Sequence, residues 1–120
     1  MLSIREIYVS DIIKAVRNLC IEANYYLAID IKNKLKQSME EETWPIAKDV
    51  LEKLLKNSEL AELENVPMCQ DTGMACVFTS IGQDVHIVGG FLEEAINQGV
   101  RQGYKDGYLR KSVVKDPLDR

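Results

Sequence analysis

Apolar residues recur every three or four positions through the first half of this chain, and that period stops at Pro67. The spacing predicts amphipathic helices before Pro67, and runs of β-formers follow it. Ile12, Ile13, Val16, Leu19, Cys20, Ala23 and Leu27 predict a helix over Ser10–Leu27, with Ser10 or Asp11 as its N-cap. A second, shorter helix is predicted at about Asp30–Glu40, where Ile31, Leu35 and Met39 oppose Lys32, Lys34, Lys36 and Glu40. Its apolar side is thin, so it belongs on the surface. Pro45 suits a first helical turn, and Ile46, Ala47, Val50, Leu51, Leu54 and Leu55 continue as a stripe. Asn57-Ser58 predicts a break there, with Glu59–Glu64 resuming the helix.

Beyond Pro67 the pattern changes. Met74–Ser80 (MACVFTS) and Val85–Val88 (VHIV) are short runs of β-formers with a turn between them around Gly82, which predicts a hairpin. Gly89-Gly90 then opens a last helix, about Phe91–Asp106, with Leu92, Ala95, Ile96, Gly99, Val100, Gly103 and Tyr104 on its inner face. Glycine inside a helix costs about 1 kcal/mol relative to alanine, so Gly99 and Gly103 predict that a neighbour approaches closely. Gly107 is the expected stop. The fold class is therefore mixed α/β (α+β): N-terminal helices, a short β-hairpin, then a glycine-faced helix.

Length and charge bound what such a chain can do. Its 120 residues, 46% of them hydrophobic and 28% charged, suit one domain with a modest core and exclude a disordered or fibrous class. The longest uncharged stretch, Thr72 to Gln83, is too short to cross a bilayer, and the first residues lack the layout of a signal peptide. A cytoplasmic protein without a membrane partner is expected. The net charge of −4 is unevenly spread, because residues 101–120 carry six Lys or Arg against three Asp. With a pI near 5.0 the chain does not read as a nucleic-acid binder. Its basic end suits a small anion or is simply a solvated face.

Three cysteines, an odd number, argue against a disulfide framework. Cys20 falls on a helical stripe and Cys76 within a β-forming run, and both are expected in the core. Cys69 differs, standing in Val66-Pro67-Met68-Cys69-Gln70-Asp71-Thr72-Gly73, a polar loop that can expose a thiolate. The residues alone leave its role open. His86, the single histidine, is expected to be structural, and no pair of cysteines has the short spacing of a zinc site. An iron–sulfur cluster needs three or four thiolates, and this chain offers one convincing candidate.

The run VPMCQDTG (66–73), the MACVF that follows, Gly89-Gly90 and the stretch from Phe91 to Leu118 together resemble the class I fumarate hydratases. More narrowly, they resemble the N-terminal part of the α subunit, a part shared with L(+)-tartrate dehydratase. The resemblance extends, more weakly, through the early helices and so covers essentially the whole chain. It implies an oxygen-sensitive iron–sulfur hydro-lyase that interconverts fumarate and (S)-malate, a step of the tricarboxylic acid cycle. By the same resemblance Cys69 matches a ligand of a [4Fe–4S] cluster. Gln70 and Asp71 match substrate-contacting residues, with Asp71 the catalytic candidate, and Arg110 matches an arginine that holds a substrate carboxylate.

The resemblance places the other two cluster cysteines, the catalytic base and further substrate ligands in later regions or a partner. Residues 1–120 are then an N-terminal portion of an α-type catalytic domain, inactive alone. The implied partners are the rest of the α chain, a β subunit or domain, and further copies in a homo-oligomer. Cluster chemistry fits the residues. Three thiolates leave one iron open as a Lewis acid, and an arginine gives a carboxylate two parallel N–H bonds. Asp71 beside a bound anion would be repulsive unless protonated or paired, so it is expected to orient water or the substrate hydroxyl. Read without the resemblance, Gln70, Asp71 and Thr72 only shape the turn before Gly73. Tartrate as substrate, or a non-catalytic helical module that binds partners through exposed apolar faces, are the rival readings.

Overall fold

The computed structural model describes residues 3–69 and 73–119. Its elements run β1 (Arg5–Tyr8), α1 (Val9–Tyr25), α2 (Ile29–Glu41), α3 (Pro45–Glu64), β2 (Val85–Val88) and α4 (Leu92–Asp106). The mixed α/β class expected from the sequence is the one observed. The chain divides into two compact units, one of Met1–Ile21 with Asp71–Arg120 and one of Glu22–Gln70.

In the first unit β1 and β2 pair in parallel, with Arg5 beside Val85 and Tyr8 beside Val88. The expected turn forms, and the Val85 amide donates to the Gly82 carbonyl at 3.2 Å. The strand that β2 meets, however, is β1 and not Met74–Ser80. Residues 74–81 instead form no strand and are exposed, with Met74, Ala75 and Val77 bordering a groove beside α4. Ile7 and Ile87 are partly buried on one face of the pair, while Glu6 and His86 are exposed on the other.

Residues 9–21 of α1 lie against α4, and the glycines explain how closely. A Cβ on Gly99 would sit 2.7 Å from the Val16 Cβ and 2.8 Å from the Ile13 carbonyl oxygen. On Gly103 it would sit 2.8 Å from the Cys20 Cβ and 2.9 Å from the Arg17 carbonyl oxygen. No side chain fits there. Val16, Cys20, Ala95 and Leu109 form the buried apolar centre of this unit. Arg17 Nε donates to Asp106 Oδ2 at 2.7 Å and ties the C-terminal end of α4 to α1; both side chains are partly exposed, so the pair adds little energy of its own.

In the second unit α2 and α3 are joined by residues 42–44, where the Glu42 carboxylate accepts the Thr43 and Trp44 amides at 2.9 Å each. Pro45 occupies the first turn of α3, as expected. No residue of α2 is buried, in keeping with its thin apolar side. The break predicted at Asn57-Ser58 is absent, and α3 runs unbroken to Glu64. The Ser58 hydroxyl, which could have competed with the helix, donates to the Leu55 carbonyl one turn back at 2.7 Å. The buried face of α3 is Leu55, Ser58 and Ala61, while Ile46, Val50 and Leu54 of the expected stripe remain exposed.

Gly99→Ala and Gly103→Ala should each lower stability by about 1–3 kcal/mol through overpacking, more than the gain of about 1 kcal/mol in helix propensity. Gly82→Ala, whose new Cβ would meet nothing closer than 3.9 Å, should stay within about 0.5 kcal/mol of the parent in urea denaturation. Burial pushes the Cys20 thiol above its ordinary value of 9.0, so the folded state keeps that proton to higher pH than the unfolded chain. Its contribution is complete below pH 9 and is lost as pH rises beyond it. Native-state alkylation should label Cys69 and Cys76 within the time that leaves Cys20 intact; equal labelling of all three by peptide mass would contradict this burial pattern.

Candidate functional site

Cys69 is presented by the way α3 ends. Asn65 takes a left-handed conformation, φ 54° and ψ 51°, and the Val66 amide closes back on the Ala61 carbonyl at 3.0 Å. Pro67 cannot continue the helix. Met68 is buried, and its amide donates to the Asn24 carbonyl at 2.9 Å. The Cys69 amide then donates to Asn57 Oδ1 at 3.0 Å. The backbone is therefore held on both sides of a residue whose own side chain is exposed, an arrangement that offers the thiol to a ligand while fixing its position.

Asn57 is the positioning residue that sequence reading missed. It stood in the Asn57-Ser58 pair taken as a helix break, and only the return of the loop across α3 gives its amide a use. The one available signal was a pair of polar residues in an apolar-striped helix that contains neither Gly nor a second Pro.

Gln70 and Asp71, together with Thr72, lie outside the described residues. Arg110 belongs to the first unit, whereas Cys69 belongs to the second. Arg110 is exposed and follows the buried Leu109, whose amide donates to the Tyr104 carbonyl at 3.1 Å. The preceding Tyr108 has a φ of 55°, a left-handed turn that carries the chain off the end of α4. Cys76 is exposed and not in the core, because Met74–Ile81 has no strand beside it to cover that face. His86 is exposed on β2, in register with Glu6. Among the described residues no group of three or more His, Cys, Asp or Glu is placed to hold a metal ion.

A groove of about 800 Å³ in the first unit adds a feature the sequence only hinted at. Gly73, Met74, Ala75 and Val77 form one side. Asn97, Arg101, Tyr104 and Lys105 of α4, with Lys111 and Ser112 of the C-terminal segment, supply its polar groups. Arg101 and Lys105 stand one helical turn apart, and among the described residues neither they nor Lys111 forms an ion pair. Asp106, the acid nearest them in sequence, is taken up by Arg17. The basic end of the chain thus has a local expression: a concave surface with three cations and a phenol, suited to a small anion. Among the described residues no helix is long and apolar enough to cross a membrane.

Comparison with known proteins gives this geometry a context. A protein of Methanocaldococcus jannaschii, provisionally named as the alpha subunit of an L(+)-tartrate dehydratase, is 38% identical over 101 residues, 82% of this chain and 35% of its own length. The alpha subunit of L(+)-tartrate dehydratase from Escherichia coli K12 is 27% identical over 107 residues, 89% of this chain and 35% of its own. The same figures hold for the Shigella boydii subunit of that name. The chain thus spans about a third of the length of the curated relatives it matches. The sequence model of the fumarate hydratase (Fumerase) family matches residues 13–120, nearly the whole chain and both Cys69 and Arg110 with it, and the chain belongs to that family.

Proposed function

We propose that residues 1–120 are an N-terminal portion of the α-type part of an iron–sulfur hydro-lyase acting on a four-carbon dicarboxylate, with fumarate and (S)-malate as the first reading. The observation that carries this is the match to the fumarate hydratase family over 13–120, a span that includes an exposed thiol held at the end of α3. The cationic groove supports a dianionic substrate. L(+)-tartrate is the second reading, favoured by the names of the relatives above. Cytoplasmic location, a β subunit or domain, and a homo-oligomeric assembly belong to the same proposal.

The donor set fits a cluster in part. Cys69 is exposed, anchored through its backbone, and able to act as one thiolate ligand, while the remaining ligands come from outside these residues. When bound, a [4Fe–4S] cluster with one open iron supplies Lewis-acid chemistry to the hydroxyl-bearing end of the substrate. The chain's own residues act around it. Arg110 donates two parallel N–H bonds to a substrate carboxylate. The Gln70 amide and the Asp71 carboxyl group orient the hydroxyl or attacking water, and Arg101, Lys105 and Lys111 raise the local concentration of the dianion. In hydration a C–O bond forms at one alkene carbon and a C–H bond at its neighbour. Dehydration breaks the same two bonds, and the group that takes the proton from carbon lies outside this chain.

The test compares the 120 residues with the longer α-type chain and its partner, both reconstituted without oxygen from iron and sulfide and assayed with fumarate, malate and L(+)-tartrate. The short chain should turn over none of them, and the complete enzyme should turn over one pair. Full activity from the 120 residues alone would overturn the proposal. In the complete enzyme Arg110→Ala should raise KM on the order of 10–100-fold, the worth of a charge-assisted hydrogen bond, with a smaller change in thermal stability. Unchanged kinetics would remove the role given to Arg110. Asn57→Ala, which frees the Cys69 amide, should lower cluster occupancy without abolishing it.

A further inference from the structure

Met74–Ile81 has the sequence of a buried strand and the surroundings of an open edge. Its eight residues, Met-Ala-Cys-Val-Phe-Thr-Ser-Ile, contain no charge and no proline. Between Gly73 and the turn at Gly82 they form neither helix nor strand, and their backbone exchanges no hydrogen bond with another described residue. Met74, Ala75 and Val77 border the groove beside α4, yet Met74 is 74% and Phe78 94% exposed, and Cys76 between them is exposed too.

An edge meant to stay in water is guarded. Natural edge strands carry lysine, proline, bulges or inward charges that prevent pairing, and an uncharged apolar run without them is a template for another strand. The nearby parallel pair of four-residue strands is also far short of the buried, many-stranded setting in which parallel sheets occur. The open segment and the two short strands are therefore parts of a sheet whose other members are missing.

We propose that Met74–Ile81 is paired by a β-strand from the region of the α-type chain that lies beyond these 120 residues, and that the same region covers the Met74, Cys76 and Phe78 face. The inference rests on the reading of this chain as one portion of a longer subunit, and on neither the cluster nor the reaction. The matched stretch makes up 35% of each relative, so about two-thirds of such a subunit is available to supply the strand. A second copy of the 120 residues fits less well. Edge-to-edge self-pairing would satisfy one row of backbone groups and leave Phe78 as exposed as before, whereas a longer chain brings both a strand and a covering layer. Lack of any guarding residue also suits a permanent occupant better than one that comes and goes.

Amide hydrogen exchange tests this on the 120-residue chain and on the longer α-type chain, both without iron. The amides of 74–81 should exchange freely in the short chain and on the order of 100-fold more slowly in the long one, a change typical of an edge entering a sheet. Labelling of Cys76 by N-ethylmaleimide should slow in parallel, with Cys20 unlabelled in both. Equal exchange in the two chains would overturn the proposal. So would a protected Cys76 thiol beside freely exchanging amides, which would mean covering without pairing. Protection in the short chain that disappears on dilution would assign the edge to a second copy. Because neither measurement needs turnover, an inactive enzyme leaves the pairing result standing, and lost pairing leaves the assignment of activity untouched.

Discussion

The contact between α1 and the glycine face of α4 fixes most of what matters in the first unit. With Gly99 over Val16 and Gly103 over Cys20 and the Arg17 carbonyl, the two backbones approach more closely than any other residue would allow. This buries Cys20 and so removes one of three thiols from chemistry. It also turns Arg101, Tyr104 and Lys105 away from α1 and into the groove that Lys111 borders. Steric exclusion does this work, since the accompanying Arg17–Asp106 pair is partly exposed and contributes little.

The second unit solves a different problem, which is how to fix the backbone beside an exposed side chain. A left-handed residue at the end of α3 reverses the chain, Met68 anchors it by burial, and Asn57 reaches across to accept the Cys69 amide. Each of these acts on the backbone next to Cys69 and leaves the thiol exposed. Under the proposed function such a site contributes one ligand of several, in keeping with a chain that spans about a third of its relatives' length. The proposed pairing of Met74–Ile81 belongs to the same reading.

The helices and their glycine contact were readable because their signals are local. The period of three and four, Pro45 in a first turn, and two glycines on one face each carry their reason within a few residues. The long-range features were not readable in this way. Arg5–Tyr8 offers only two apolar residues, and its partner lies beyond α3, so nothing nearby marks it as a strand. Met74–Ser80 is rich in β-formers and was expected as half of a hairpin, yet it forms no strand, because propensity alone does not supply a partner. The same step put Cys76 in the core, although a β-former is buried only when a neighbour covers it. Asn57 was read as a breaker because its acceptor role depends on a loop twelve residues later. In the candidate site, the polar loop singles out Cys69 for exposure and the structure shows it exposed, while its ligand role and those of Gln70, Asp71 and Arg110 come from the resemblance alone.

If Cys69 is the one cluster ligand that these residues contribute to a larger enzyme, as proposed, iron content must depend on it. After anaerobic reconstitution of the longer enzyme, iron and sulfide per chain should fall to near zero with Cys69→Ser. They should stay at the parent level with Cys20→Ser and Cys76→Ser. Full iron retention in the Cys69 variant, or equal loss in the Cys69 and Cys76 variants, would contradict the account.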